Sequence, residues 1–170
     1  SFDGPAAIPE TCTMRLLMRY LILLAFALTA TIANADPKER EGWKVHPTGL
    51  GYAELIDRVK AATSKNRMGV VTQAGPTDAA KSRGVTIPGN RVIGVFNNVF
   101  AVEMLAASES AMIEAPVRFY VTEQADGAAT LSYKTPSHVF APYADDSPEV
   151  MKIAARLDEV FAKIAEAAIN

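Results

Sequence analysis

The sequence predicts an α+β fold: a single domain with an antiparallel or mixed β-sheet, helices packed on one face, and a long C-terminal amphipathic helix. Three observations carry that expectation. Strand-like and helix-like stretches alternate in the order β-α-β-α-β-α-β-β-α. The last two strands face each other across an Asp-Gly turn, which favours antiparallel pairing. Near the C-terminus, apolar residues recur at helical spacing over several turns, and such a stripe must cover a sheet or a partner.

Each element has a local cause. In "GWKVHPT" (42–48), Trp43 and Val45 alternate with polar neighbours, a short strand expected to end at Pro47. Tyr52, Leu55, Ile56, Val59 and Ala62 share one helical face. "MGVVTQAG" is β-rich and stops at Gly75-Pro76. "PTDAAKSRG" reads as a short helix, with Pro76 near its start and Gly84 past its end. "NRVIGVFN" is an apolar strand, after which Ala101, Met104 and Leu105 are expected on one helical face. "APVRFYVTEQ" sets Val117, Phe119 and Val121 against Arg118, Tyr120 and Thr122, the alternation of a half-buried strand. The turn at Asp126-Gly127 returns the chain through "AATLSYKTP", with Leu131 and Tyr133 on one face.

The final helix is expected over 147–168. Ser147 is its cap, Pro148 its first helical residue, and Glu149 complements its dipole. Val150, Ile153, Ala154, Leu157, Val160, Phe161, Ile164, Ala165 and Ala168 make its apolar stripe.

The front of the chain carries a different message. Arg15 and Arg19 precede an apolar run from Tyr20 to Ala33, and Ala33-Asn34-Ala35 supplies small residues where a signal peptidase cuts. Residues 14–35 are therefore expected to be a secretory signal, with cleavage between Ala35 and Asp36. The run is shorter than the about 20 residues that span a bilayer. A periplasmic or secreted protein is expected, without membrane attachment after cleavage; an uncleaved anchor is the alternative. Residues 1–13 have the wrong chemistry for a signal's first segment and are read as upstream sequence. They hold the single cysteine, Cys12, so residues 36–170 offer neither a disulfide nor a thiolate. A hydrophobic content of 49% and a charged content of 21% describe a globular chain. The net charge of −2 leaves no basic footprint for nucleic acid.

Motifs for catalysis are scarce. "GLGYAE" (49–54) opens like a dinucleotide loop but places Glu54 where a third glycine belongs. Neither a phosphate-binding G-x-x-x-x-G-K-[ST] nor a G-x-S-x-G elbow is present, and no cofactor is expected. The two histidines, His46 and His138, are not at metal-binding spacing, and no metal site is expected. Asp145, Asp146 and Glu149 could bind a hard cation or flank a helix start. His138 lies in "TPSHVFAPY" beside aromatics, where it could touch a ligand or sit half-packed. Glu114 and Arg118 would share a face if both were in the strand, as a surface ion pair. Asn97 and Asn98 interrupt "GVFNNVFAVEM". Asn98 is the expected N-cap, with Asn97 taking up the turn; the same helix start could also present free N–H groups to a small polar ligand.

The stretch "MGVVTQAG…DAAKSRGVTIPGNRVIGVFNN…AVEMLAAS…IEAPVRFYVTEQADGAATLSYKTPS" resembles the domain-of-unknown-function 302 family over about residues 51–143. The resemblance rests on Ala80 to Gly84, the Asn97-Asn98 turn, "APVRFYV" and "DG…LSY…P". It implies a compact α+β domain that commonly forms homodimers and has no established activity. Many members have Asn-Pro where this chain has Asn97-Asn98. Some carry cysteines where this chain has Phe96 and Ala115, so thiol chemistry does not extend to it.

The expected function is thus an exported, non-catalytic, small-ligand-binding or stress-associated homodimer. Candidate ligand contacts are Asn97, Asn98, Glu114, Arg118, Tyr133 and His138. The alternative is a hydrolase-like enzyme with a pocket near Asn97, Glu114 and His138, which would require those groups in one cleft.

Overall fold

The computed structural model describes residues 39–170. The signal segment expected at 14–35 lies outside these residues. Five strands, β1 (Trp43–Gly51), β2 (Gly69–Ala74), β3 (Asn90–Phe96), β4 (Val117–Glu123) and β5 (Ala128–Lys134), form one antiparallel sheet in the order β1-β5-β4-β3-β2. Helices α1 (Tyr52–Lys65), α2 (Thr77–Ser82) and α3 (Asn98–Ala107) connect the strands. A short α4 (Pro136–Phe140) follows β5, and α5 (Pro148–Ile169) ends the chain. The α+β expectation holds, with the sheet wholly antiparallel. Among the described residues, no helix is long and apolar enough to cross a membrane.

The core lies between one face of the sheet and the helices. Ile93, Val95, Phe119, Val121, Leu131 and Tyr133 meet Leu55 and Val59 of α1 and Val150, Leu157, Phe161 and Ile164 of α5. An aromatic cluster sits at its centre. Phe119 stacks on Phe161 with ring centroids 4.6 Å apart and meets Tyr133 edge-on at 5.2 Å. The start of α5 is as the sequence dictates: Ser147 accepts from the Glu149 N–H at 3.2 Å, with Pro148 opening the helix.

The turn between β4 and β5 also follows from its residues. Gly127 takes φ 84°, and the Asp126 carboxylate accepts from the Ala128 N–H at 3.0 Å.

Three expectations are corrected. Strand β1 does not end at Pro47 but continues to Gly51. It is an edge strand, so the missing proline N–H costs no ladder bond on its free side. The register shifts after Pro47, and Thr48 bridges the irregularity: its hydroxyl donates to the Ala129 carbonyl at 2.6 Å.

Leu105 does not share a face with Met104. The inward face of α3 runs through Phe100, Met104 and Ala107, at helical spacing, whereas Leu105 is 52% exposed.

Finally, the cap of α3 is Asn97, not Asn98. Its backbone is extended (φ −144°, ψ 126°), and its Oδ1 accepts from Val99 and Phe100. Its Nδ2 donates to the Arg67 carbonyl at 2.7 Å, tying the start of α3 to the α1–β2 turn. Asn98 is the first helical residue and is exposed.

Candidate functional site

The face of the sheet opposite the helices presents the residues that alternate with the core. Strand pairing puts them in rows. Trp43 is opposite Lys134, and Gly94 is opposite Arg118 and Thr72. Because Phe119 pairs with Tyr133 on antiparallel strands, Arg118 and Lys134 stand side by side one step further along. The next row holds Val45, Ser132, Tyr120 and Val92.

A depression of about 440 Å³ lies at this end of the face, bordered by Trp43, Val92, Arg118, Tyr120, Lys134 and, from α4, Val139. Its size suits a small molecule. The Lys134 Nζ lies 6.0 Å from the Trp43 ring centroid. Asn90 donates to the Tyr120 hydroxyl, which fixes that ring. Among the described residues, neither Arg118 nor Lys134 forms an ion pair. Two adjacent like charges on neighbouring strands repel, and no ion pair in the described fold offsets that repulsion.

Glu114 also borders the depression. It stands in a 3₁₀ turn (Ser110–Glu114) before the cis Ala115-Pro116 bond, outside β4, so the condition for a same-face pair with Arg118 is not met. Its carboxylate accepts from the Tyr143 hydroxyl at 2.9 Å, and this bond holds the tyrosine proton above its ordinary value. In the row next to Arg118 and Lys134, the Ser132 hydroxyl is buried with no hydrogen-bond partner.

The other sequence candidates fall elsewhere. Tyr133 also edges the depression, with its ring packed in the core against Phe119 and Phe161. Asn97 lines a separate cavity of about 30 Å³ beneath α3, with Met68, Met104 and Met112 among its walls, too small for anything beyond a water or two. Asn98 is on the surface one residue further on. His138 packs its ring on the Gly42 backbone, where a β-carbon would fall 2.0 Å from the ring. Asp146 accepts from the Ser108 hydroxyl, bridging the end of α3 to the loop before α5. Among the described residues, no cluster of three or more His, Cys, Asp or Glu is placed to hold a metal ion.

Thus the structure gathers Glu114 and Arg118 at one place and leaves Asn97 and His138 outside it. Trp43, Tyr120 and Lys134 were not singled out from the sequence. Tyr120 could have been, since the alternation in "VRFYV" sets it beside Arg118 on the outward face.

Comparison with known proteins places this architecture. The profile of the domain of unknown function DUF302 matches residues 44–169. The chain belongs to the DUF302 family. The match runs from the second residue of β1 to the end of α5, so it includes the C-terminal helix. Among solved structures, the domain is similar to an uncharacterized conserved DUF302 protein from Bacillus stearothermophilus. The two are 17% identical, with a TM-score of 0.68, over 77% of this chain and all of the other. At that identity the likeness concerns the fold. No curated protein matches this DUF302 chain.

Proposed function

We propose that this DUF302 protein is an exported, non-catalytic domain that binds a small polar molecule on the open face of its sheet and works as a homodimer. The observation that carries the binding reading is the depression at Trp43, Arg118, Tyr120 and Lys134, where two cations stand together without counter-ions. A fold gains nothing from that repulsion, whereas a ligand can.

Export is supported by the arrangement of residues 14–35, and a periplasmic or secreted location follows from it. Dimerisation is supported by α3. This helix is apolar nearly all round, with Val99 (58%), Val102 (67%) and Leu105 all exposed. A helix of that kind is normally covered on every side, and a second copy is the simplest cover.

Native mass spectrometry of protein taken from its own compartment tests these together. The expected spectrum is a dimer starting at Asp36 with a small molecule retained. A ligand-free spectrum would count against the binding reading, a monomer at micromolar concentration against the dimer, and a retained leader against export.

A further inference from the structure

We infer that the ligand of the sheet-face depression is an organic anion, a carboxylate or phosphate head carried on a flat apolar body; this rests on the binding reading above. The head is assigned by charge. Arg118 and Lys134 come from adjacent strands with their β-carbons about 5 Å apart. Both side chains are long enough from that spacing for a guanidinium fork and an ammonium to reach one oxyanion, the guanidinium with two parallel N–H donors. Among the described residues, one carboxylate borders the depression, Glu114. It accepts from the Tyr143 hydroxyl and forms no ion pair with either cation, so two positive charges stand against one negative charge and the border keeps a net positive charge.

The body is assigned by shape and polarity. Trp43 stands beside Lys134 in the same row and Tyr120 next to Arg118 in the neighbouring row, with Val92, Val117 and Val139 as apolar members of the border and Asn90 and Glu114 as polar ones. Trp43 reaches the ligand from the free edge of the sheet, since β1 pairs with β5 alone. An indole and a phenol ring flanking an anion site offer faces on which a planar group can lie. A compact inorganic ion would use the cations and leave these faces wet.

The sequence has a single tryptophan, and it is at the site, so emission from Trp43 reports on binding directly. The protein lacking its leader is titrated with benzoate, phenyl phosphate, benzamide and inorganic phosphate. Benzoate and phenyl phosphate are expected to shift Trp43 emission saturably, and their relative affinities decide which head is preferred. Benzamide and inorganic phosphate are expected to bind about tenfold more weakly or worse, as is benzoate to Arg118→Gln and to Lys134→Gln. Unchanged urea midpoints show that both variants are folded.

Benzamide binding as well as benzoate, or full affinity in both variants, overturns the anionic head. Inorganic phosphate binding as well as phenyl phosphate overturns the flat body. A silent Trp43 with all four probes overturns the whole assignment. The binding reading is judged apart, by the retained ligand in native mass spectra: if one is present while Trp43 stays silent, only the anion assignment falls.

Discussion

Trp43 and Lys134 face each other across the first two strands of the sheet, with the ammonium 6.0 Å from the indole centroid. The contact is exposed and worth well under about 1 kcal/mol. On its other side Lys134 neighbours Arg118, a like charge. Lys134→Gln loses a weak attraction and a weak repulsion, which nearly cancel, and Arg118→Gln loses only the weak repulsion. Lys134→Gln and Arg118→Gln are therefore expected to change unfolding free energy by less than about 0.5 kcal/mol in urea titrations. A loss of about 2 kcal/mol or more in either variant would show a structural role for that cation and remove the reason for assigning it to a ligand.

At the start of α3, two neighbouring asparagines have unequal roles. Asn97 satisfies two helix N–H groups with Oδ1 and holds the Arg67 carbonyl with Nδ2. Asn97→Ala is expected to cost about 1–2 kcal/mol, and Asn98→Ala less than about 0.5 kcal/mol. Thermal or urea unfolding of the two single variants measures the difference. Equal costs would mean that the cap is shared between them.

That pair also shows where sequence reasoning stops. "FNNVF" announces a strand-to-helix switch and a cap, but which asparagine is the last non-helical residue depends on backbone dihedrals that no spacing encodes. The strand alternation in "VRFYV" and the apolar stripe of α5 were legible because each is a property of one segment. The depression was not, because it depends on the register of β1 against the β4–β5 hairpin, and β1 is far from that hairpin in the chain. Leu105 misled for a related reason: α3 is apolar on several sides, so its sequence does not declare which face turns inward.

In the core, Phe161 joins α5 to the sheet through its stack on Phe119 and its contact with Tyr133. It is fully buried, at the centre of the aromatic cluster. Phe161→Ala should cost about 3–5 kcal/mol, read as a lower urea midpoint. A loss under about 1 kcal/mol would mean that α5 does not seal the core in solution.

His46 gives the domain a pH dependence with a definite sign. On β1, opposite Leu131, its ring stacks on Tyr133 at 6.0 Å and its Nε2 is buried without a partner. Burial first, and then the Lys44 charge two residues away on the same strand face, push its pKa below the ordinary 6.5. Tyr133, the titratable group against the ring, is itself pushed up by burial and by Asp158, so it stays neutral and offers no compensating charge. Between the lowered folded value and 6.5, the unfolded chain binds more protons than the folded one, and stability rises with pH. The contribution is whole above 6.5 and declines as the solution is acidified through that window. His46→Gln, which stays neutral in both states, removes this slope. The urea midpoint of the parent protein should therefore fall more steeply from pH 7 to pH 5 than that of the variant. Parallel profiles would mean that His46 is as free to take up a proton in the folded domain as in the unfolded chain.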